Sequence, residues 1–184
     1  MSVQERLTTV EEFEQFIALP ENSERLFELI GGEIVEKVPT EEHGLIAGNV
    51  HGYLWSFIKP QKLGRVTLEV RHGMPGDQHN DLLPDVSFTS AERLLPVVKR
   101  GAVPHMPDLA VEVKSPGDSL KKLRTKAEYY LAHGTRIVWL VYPAKRLVTV
   151  LTPTSEDILT ENDTLDGGDV LPGFTLPVRA LFEE

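Results

Sequence analysis

The stretch from Asp108 to Tyr142 constrains the fold more than any other part of the chain. Asp108-Leu109-Ala110-Val111-Glu112-Val113-Lys114 alternates as a strand. Leu109, Val111 and Val113 share one face, and Asp108, Ala110, Glu112 and Lys114 share the other. Ser115-Pro116-Gly117 ends the strand. Ser119–His133 reads as a helix stopped by Gly134, and Ile137–Tyr142 is an apolar run of strand length. Strand, helix and strand over this span predict one right-handed crossover between parallel strands.

The remaining elements make the order mixed α and β. Thr9 to Leu19 predicts a helix, with Thr9 and Glu12 at capping-box spacing and Pro20 closing it. Arg25–Ile30 and Glu33–Val38 flank Gly31-Gly32 and read as a tight hairpin. That turn sets Ile30 opposite Glu33 and places Glu28 and Glu33 on one face. Thr40 is an N-cap for a helix running to Ile58, stopped by Pro60, with Ile46, Val50, Tyr53, Leu54 and Phe57 as its buried stripe. Val66–Arg71 and Leu82–Thr89 are strands, the first with Val66, Leu68 and Val70 inward. Pro84 marks an edge or bulge in the second. Gly73–Asp81 is a loop. Leu147–Leu151 is a further strand, and the tail after Thr152 is turn-rich with a last strand near Phe174–Val178.

At 184 residues the chain is expected to form a single domain. Its parts are an N-terminal helix and hairpin (1–40), a core (41–152) and a C-terminal extension (153–184). Cysteine is absent, which excludes disulfides, thiolate metal sites and a cysteine nucleophile. No apolar run suits a membrane span, and Met1-Ser2-Val3-Gln4-Glu5-Arg6 shows no signal-peptide pattern. A cytoplasmic location is the expectation. The net charge of -9 argues at first against nucleic acid. The acids, however, cluster in residues 1–42 and 155–170. Residues 114–126 hold Lys114, Lys121, Lys122, Arg124 and Lys126 against Asp118 alone. Such a segment is either a solvated helix face or a local contact for phosphate, since salt screens charges beyond about 10 Å.

Glu112 and Lys114 place a carboxylate and an ammonium near the end of the strand that feeds the crossover, where ligand sites of α/β sheets gather. Upstream, Asp85 lies in the apolar run Leu83-Pro84-Asp85-Val86, where burial is costly without a partner. Two carboxylates converging from adjacent strands suit Mg²⁺ or Mn²⁺. A lysine beside them suits phosphodiester hydrolysis. No Ser-His-Asp ordering, P-loop or dinucleotide fingerprint is present. His72, His79 and His105 fall in loops without metal-ligand spacing and are expected at the surface.

Pro84-Asp85 followed by Glu112-x-Lys114 resembles the PD-(D/E)XK nuclease signature. Phe27 to Val35, His43-Gly44, Leu83 to Val86, Pro107 to Pro116, Val138 to Val141 and Leu171-Pro172-Gly173-Phe174 together resemble the Uma2 (DUF820) endonucleases. The resemblance implies a restriction-endonuclease-like core, αβββαβ, with a central mixed sheet flanked by helices. It implies a DNA endonuclease whose Mg²⁺ or Mn²⁺ is held by Asp85, Glu112 and the Val113 carbonyl. Lys114 is the catalytic lysine by motif position. Lys126, on the helix, is the alternative, because relatives lacking the strand lysine are suspected of moving it there. Lys126 borders the helix's apolar stripe and either reaches the sheet or snorkels from its edge. Glu33 and Glu28 match acidic positions of the family pattern; each either lines the cleft or lies on an exposed hairpin. His43 either positions phosphate or water, or is a surface residue beside its cap. A homodimer is the expected assembly, since double-strand cutting favours two symmetric sites. The competing readings are an inactive DNA-binding or dimeric module and a hydrolase of another phosphoester.

Overall fold

The computed structural model describes residues 6–184; Met1–Glu5, read above for a targeting segment, lie outside them. Helix α1 (Val10–Ile17) starts at Thr9, which forms the full capping box with Glu12. The hairpin β1 (Leu26–Ile30) and β2 (Glu33–Lys37) follows, with Leu29 opposite Ile34 and Ile30 opposite Glu33. Its turn needs φ of +55° and +81° at Gly31 and Gly32, which glycine adopts without a Cβ penalty. A Cβ on Gly32 would also stand 2.7 Å from the Leu7 side chain.

Helix α2 (Glu41–Gln61) runs one turn's length beyond the expected stop. Pro60 lies in its last turn, where it removes one i→i−4 donor and ends the helix within two residues, and Lys62 caps the end with φ +55°. Its buried side is Ile46, Ala47, Val50, Leu54 and Ile58. Tyr53 is exposed, because the stripe continues from Leu54 to Ile58 at a spacing of four.

Strand β3 (Gly64–Leu68) ends earlier than expected. Glu69 takes φ +49° and turns the chain off the sheet, which leaves Leu68 exposed. The run Leu82–Thr89 is not one strand. After the two-residue strand β4 (His72–Gly73), its first part pairs as β5 (Asp81–Leu82) in a small sheet. Its second part, β6 (Val86–Ser90), belongs to the main sheet. The chain changes sheets at Leu83-Pro84-Asp85, so the proline marks a junction rather than an edge.

The crossover forms as expected. Strand β7 (Leu109–Val113), helix α3 (Leu120–Ala132) and β8 (Ile137–Tyr142) make a unit in which β7 and β8 pair in parallel. Strands β9 (Leu147–Leu151) and β10 (Glu156–Thr160) extend the sheet to the order β10-β9-β8-β7-β6-β3. Helix α2 packs on the face bearing Val111, Trp139 and Val141; α3 packs on the face bearing Ala110, Val138 and Leu140. The smaller sheet, β2-β1-β5-β4, carries α1 through Phe13, Phe27 and Leu29.

The tail is more regular than expected. Strands β11 (Thr164–Gly167) and β12 (Leu171–Pro177) form a hairpin whose Leu165, Leu171, Phe174 and Leu176 join the α2-side core. Phe174 packs against Phe57 and Trp139, each such apolar side chain contributing roughly 1.5–3 kcal/mol by burial. Among the described residues, no helix is long and apolar enough to cross a membrane.

Candidate active site

The change of sheets at Pro84 builds the site. β6 and β7 run antiparallel with Val86 opposite Val111. One step further along that register, Asp85 comes opposite Glu112. Val86 and Val111 turn to the α2 core, so alternation turns both acids to the α3 side. The Asp85 N–H donates to the Val111 carbonyl at 3.0 Å, which fixes the acid's backbone. Both acids are at most 2% exposed.

Donors surround Asp85. Its Oδ2 accepts the Val113 N–H at 2.6 Å and lies 3.1 Å from His43 Nε2. Its Oδ1 pairs with the Lys37 ammonium. Burial disfavours the charged form, yet Lys37 and His43 outweigh it and hold this carboxyl well below its ordinary range. The same contact raises His43 against the lowering effect of its own burial. His43 reaches the site from the first turn of α2, where Thr40 caps the helix by accepting the His43 N–H.

Glu112 accepts from the Tyr130 hydroxyl at 2.7 Å, and the Lys126 ammonium lies 2.7 Å from both of its oxygens. Burial nonetheless pushes the Glu112 carboxyl up, to about 7, against the pull of Lys126 and Lys37. Lys126 also bridges to Glu28 at 2.8 Å. Glu28 accepts the Leu83 N–H at 3.0 Å, which ties the hairpin to the sheet junction. Three carboxylates, two ammonium groups and one histidine thus meet at one end of the sheet, beside a cleft of about 290 Å³.

Asp85, Glu112, the Val113 backbone, His43 and Lys126 come together. Lys114 and Glu33 do not. β7 ends at Val113, and the Lys114 ammonium turns back to the Ser115 carbonyl at 3.0 Å. Glu33 sits beside the hairpin turn, exposed, with its partner Lys122 at 2.5 Å. Of Glu28 and Glu33, Glu28 is the one that lines this cleft. Lys37 is the residue that sequence reasoning missed. Its signal was present: in the hairpin register Glu28 faces Val35, and Lys37 lies two residues further on the same face. His72 is buried rather than at the surface; its Nδ1 bonds the His105 carbonyl at 2.8 Å and its Nε2 meets the Ser87 hydroxyl at 3.2 Å.

Residues 11–179 match the Uma2 family, described as "Putative restriction endonuclease". The chain belongs to the Uma2 family. A crystal structure of a "putative nuclease belonging to DUF820" from Anabaena variabilis ATCC 29413 is similar over 95% of this chain and 97% of that one. Its TM-score is 0.80 at 28% identity. A DrdV–DNA complex covers 75% of this chain and 96% of its own at 14% identity, with a TM-score of 0.33 that bears on neither fold nor function. No match to a curated protein was found. The Uma2 assignment agrees with the order α2, β3, β6, β7, α3, β8, a mixed sheet flanked by helices.

No three His, Asp or Glu side chains among the described residues form a metal-ligating cluster, and Lys37 lies against both Asp85 and Glu112. The donor chemistry still fits a hard divalent ion. Glu28, Asp85 and Glu112 offer only oxygen, and each pairs with an ammonium group, which stands in for a cation there.

Proposed function

We propose that this Uma2 protein is a divalent-metal-dependent endonuclease that hydrolyses DNA phosphodiesters at the cleft between the hairpin and α3. The observation that carries this is the meeting of Asp85, Glu112 and Lys126 at the end of the crossover sheet. Asp85 and Glu112 would hold Mg²⁺ or Mn²⁺, with Val113 supplying the main-chain ligand implied by the resemblance. Such an ion supplies a Lewis acid for the phosphoryl oxygen and an activated water.

The chain's own groups do the rest. Lys126 sets its side-chain nitrogen beside Glu112, suited to stabilising charge on the phosphoryl oxygens. Tyr130 fixes one Glu112 oxygen, and His43 orients Asp85. The cleft rim favours a polyanion. α3 has no acid in its first turn, where Lys121 is exposed and Lys122 pairs with Glu33. The acids of the chain are partly neutralised: Glu36 at the cleft by Arg25, and elsewhere Glu156 by Arg124 and Glu161 by Arg146.

A second reading, an inactive nuclease-fold DNA-binding module, is favoured by one observation: Lys37 lies between the two carboxylates. Cleavage of supercoiled plasmid separates the two. With Mg²⁺ the wild type nicks or linearises the plasmid, while Glu112→Gln, folded by circular dichroism, loses at least about three orders of magnitude in rate. A wild type inert in both Mg²⁺ and Mn²⁺ supports the inactive module.

A further inference from the structure

Lys37 is a part-buried cation of the cleft that this mechanism leaves unused. It is the last residue of β2, and Val38 beyond it is open to solvent. Its ammonium donates to the Leu83 carbonyl at 2.9 Å, pairs with Asp85 and lies 3.9 Å from Glu112 Oε2. It therefore stands in the space that the two carboxylates face.

The two lysines of the site are held differently. Lys126 rises from the middle of α3, is 5% exposed and is gripped by both oxygens of Glu112 and of Glu28. Lys37 sits at a strand end, is 14% exposed and pairs closely with one carboxylate. It also lines the cleft, on the side across from Ser119 and Lys122 at the start of α3. A divalent ion and an ammonium group repel, so they compete for the same Asp85 oxygen. The loser on geometric grounds is the lysine that can withdraw, and that is Lys37.

We propose that Lys37 is an exchangeable cation of the active site, which neutralises Asp85 until a divalent ion displaces it and then turns to the cleft to bind a DNA phosphate. This rests on the metal-dependent nuclease reading. It makes Lys37 a substrate-positioning residue, with two signatures of opposite sign. Removing its charge strengthens metal binding and weakens DNA binding.

The test is calorimetric titration of Mn²⁺ into the wild type, Lys37→Met and Lys37→Arg, each checked for native circular dichroism. Lys37→Met is expected to bind Mn²⁺ at least about tenfold more tightly than the wild type, a shift of one decade in Kd. Lys37→Arg, which keeps the charge, should bind Mn²⁺ like the wild type. Fluorescence anisotropy with a short duplex in Ca²⁺ should show weaker binding by Lys37→Met, with the log–log salt slope smaller by about 1. Equal Mn²⁺ affinity in folded wild type and Lys37→Met overturns the role of Lys37 and leaves the nuclease reading standing. Absence of Mn²⁺ binding in all three proteins overturns the metal site itself, and this proposal with it. If Lys37→Met does not fold, side-chain ammonium NMR of the wild type decides. The Lys37 signal, assigned by its loss in Lys37→Arg, must move as Mg²⁺ is added, and an unmoved signal during Mg²⁺ binding overturns the proposal.

Discussion

The two ends of β7 carry buried acids of opposite character. At its start, Asp108 accepts the Ser90 N–H and the Arg93 guanidinium, both at 2.8 Å, and Arg93 goes on to the Met106 carbonyl. Burial raises the cost of the charge, but Ser90 and Arg93 outweigh it and hold the Asp108 carboxyl below its ordinary value. One acid meets one base, and both Asp108 oxygens have a donor. At the far end, Glu112 shares its surroundings with Glu28 and Asp85 against Lys37 and Lys126, and burial pushes its carboxyl up to about 7. The strand closes a matched structural contact at one end and presents crowded, unevenly shared charge at the other. The crowded end opens on a cleft. Crowding of this kind costs stability and is the mark of a site.

The largest effects should fall at the crowded end and separate its two lysine candidates. Lys126→Gln should lower the rate of plasmid cleavage by at least about two orders of magnitude, because Glu112 loses the cation on both its oxygens. Lys114→Ala, which removes an ammonium bonded only to Ser115, should change it by less than about threefold. The reverse ranking would move the chemistry back to the strand. The matched end should answer in stability instead. Asp108→Asn is expected to lower unfolding free energy in urea by about 2 kcal/mol while cleavage stays near wild type. Loss of cleavage in a folded Asp108→Asn protein would erase the distinction between the two ends.

Between them lies a pH-dependent effect. His72 is buried neutral, its Nδ1–H donating to the His105 carbonyl, and burial lowers it to about 4. Its ordinary value is about 6.5, so the unfolded chain binds the proton more tightly than the folded one. This contribution is fully present above pH 6.5 or so and is lost as pH falls toward 4, at most about 3 kcal/mol. Urea midpoints from pH 7 to 4 should fall more steeply for the wild type than for His72→Gln. Parallel profiles would show that His72 carries none of the acid sensitivity.

Much of this was legible in the residues. The alternation of Asp108 to Lys114 and the helix behind it specify β7, α3 and β8, and the double glycine specifies the hairpin register that brings Glu28 to the cleft. Asp85 and Glu112 were legible because an acid inside an apolar strand needs a partner. The lysine choice was not. Lys114 shares a face with Glu112 only if the strand continues, and it stops at Val113. Which side of α3 Lys126 took depended on packing against Glu28, ninety-eight residues earlier in the chain. Lys37 was hidden for a related reason: its partners are Leu83 and Asp85, distant in sequence and adjacent only after the chain changes sheets at Pro84. The C-terminal hairpin was obscured by Gly167, Gly168, Pro172 and Gly173, which read as turns although Gly167 and the residues flanking the group pair.

The central claim is that Asp85 and Glu112 share a divalent ion. Crystals of the wild type soaked in Mn²⁺ and measured at the manganese edge test it most directly. The account predicts an anomalous peak bonded to oxygens of both Asp85 and Glu112, with the Lys37 ammonium moved off Asp85. Mn²⁺ bound elsewhere, or a saturating soak that leaves both carboxylates paired only with their lysines, would contradict it.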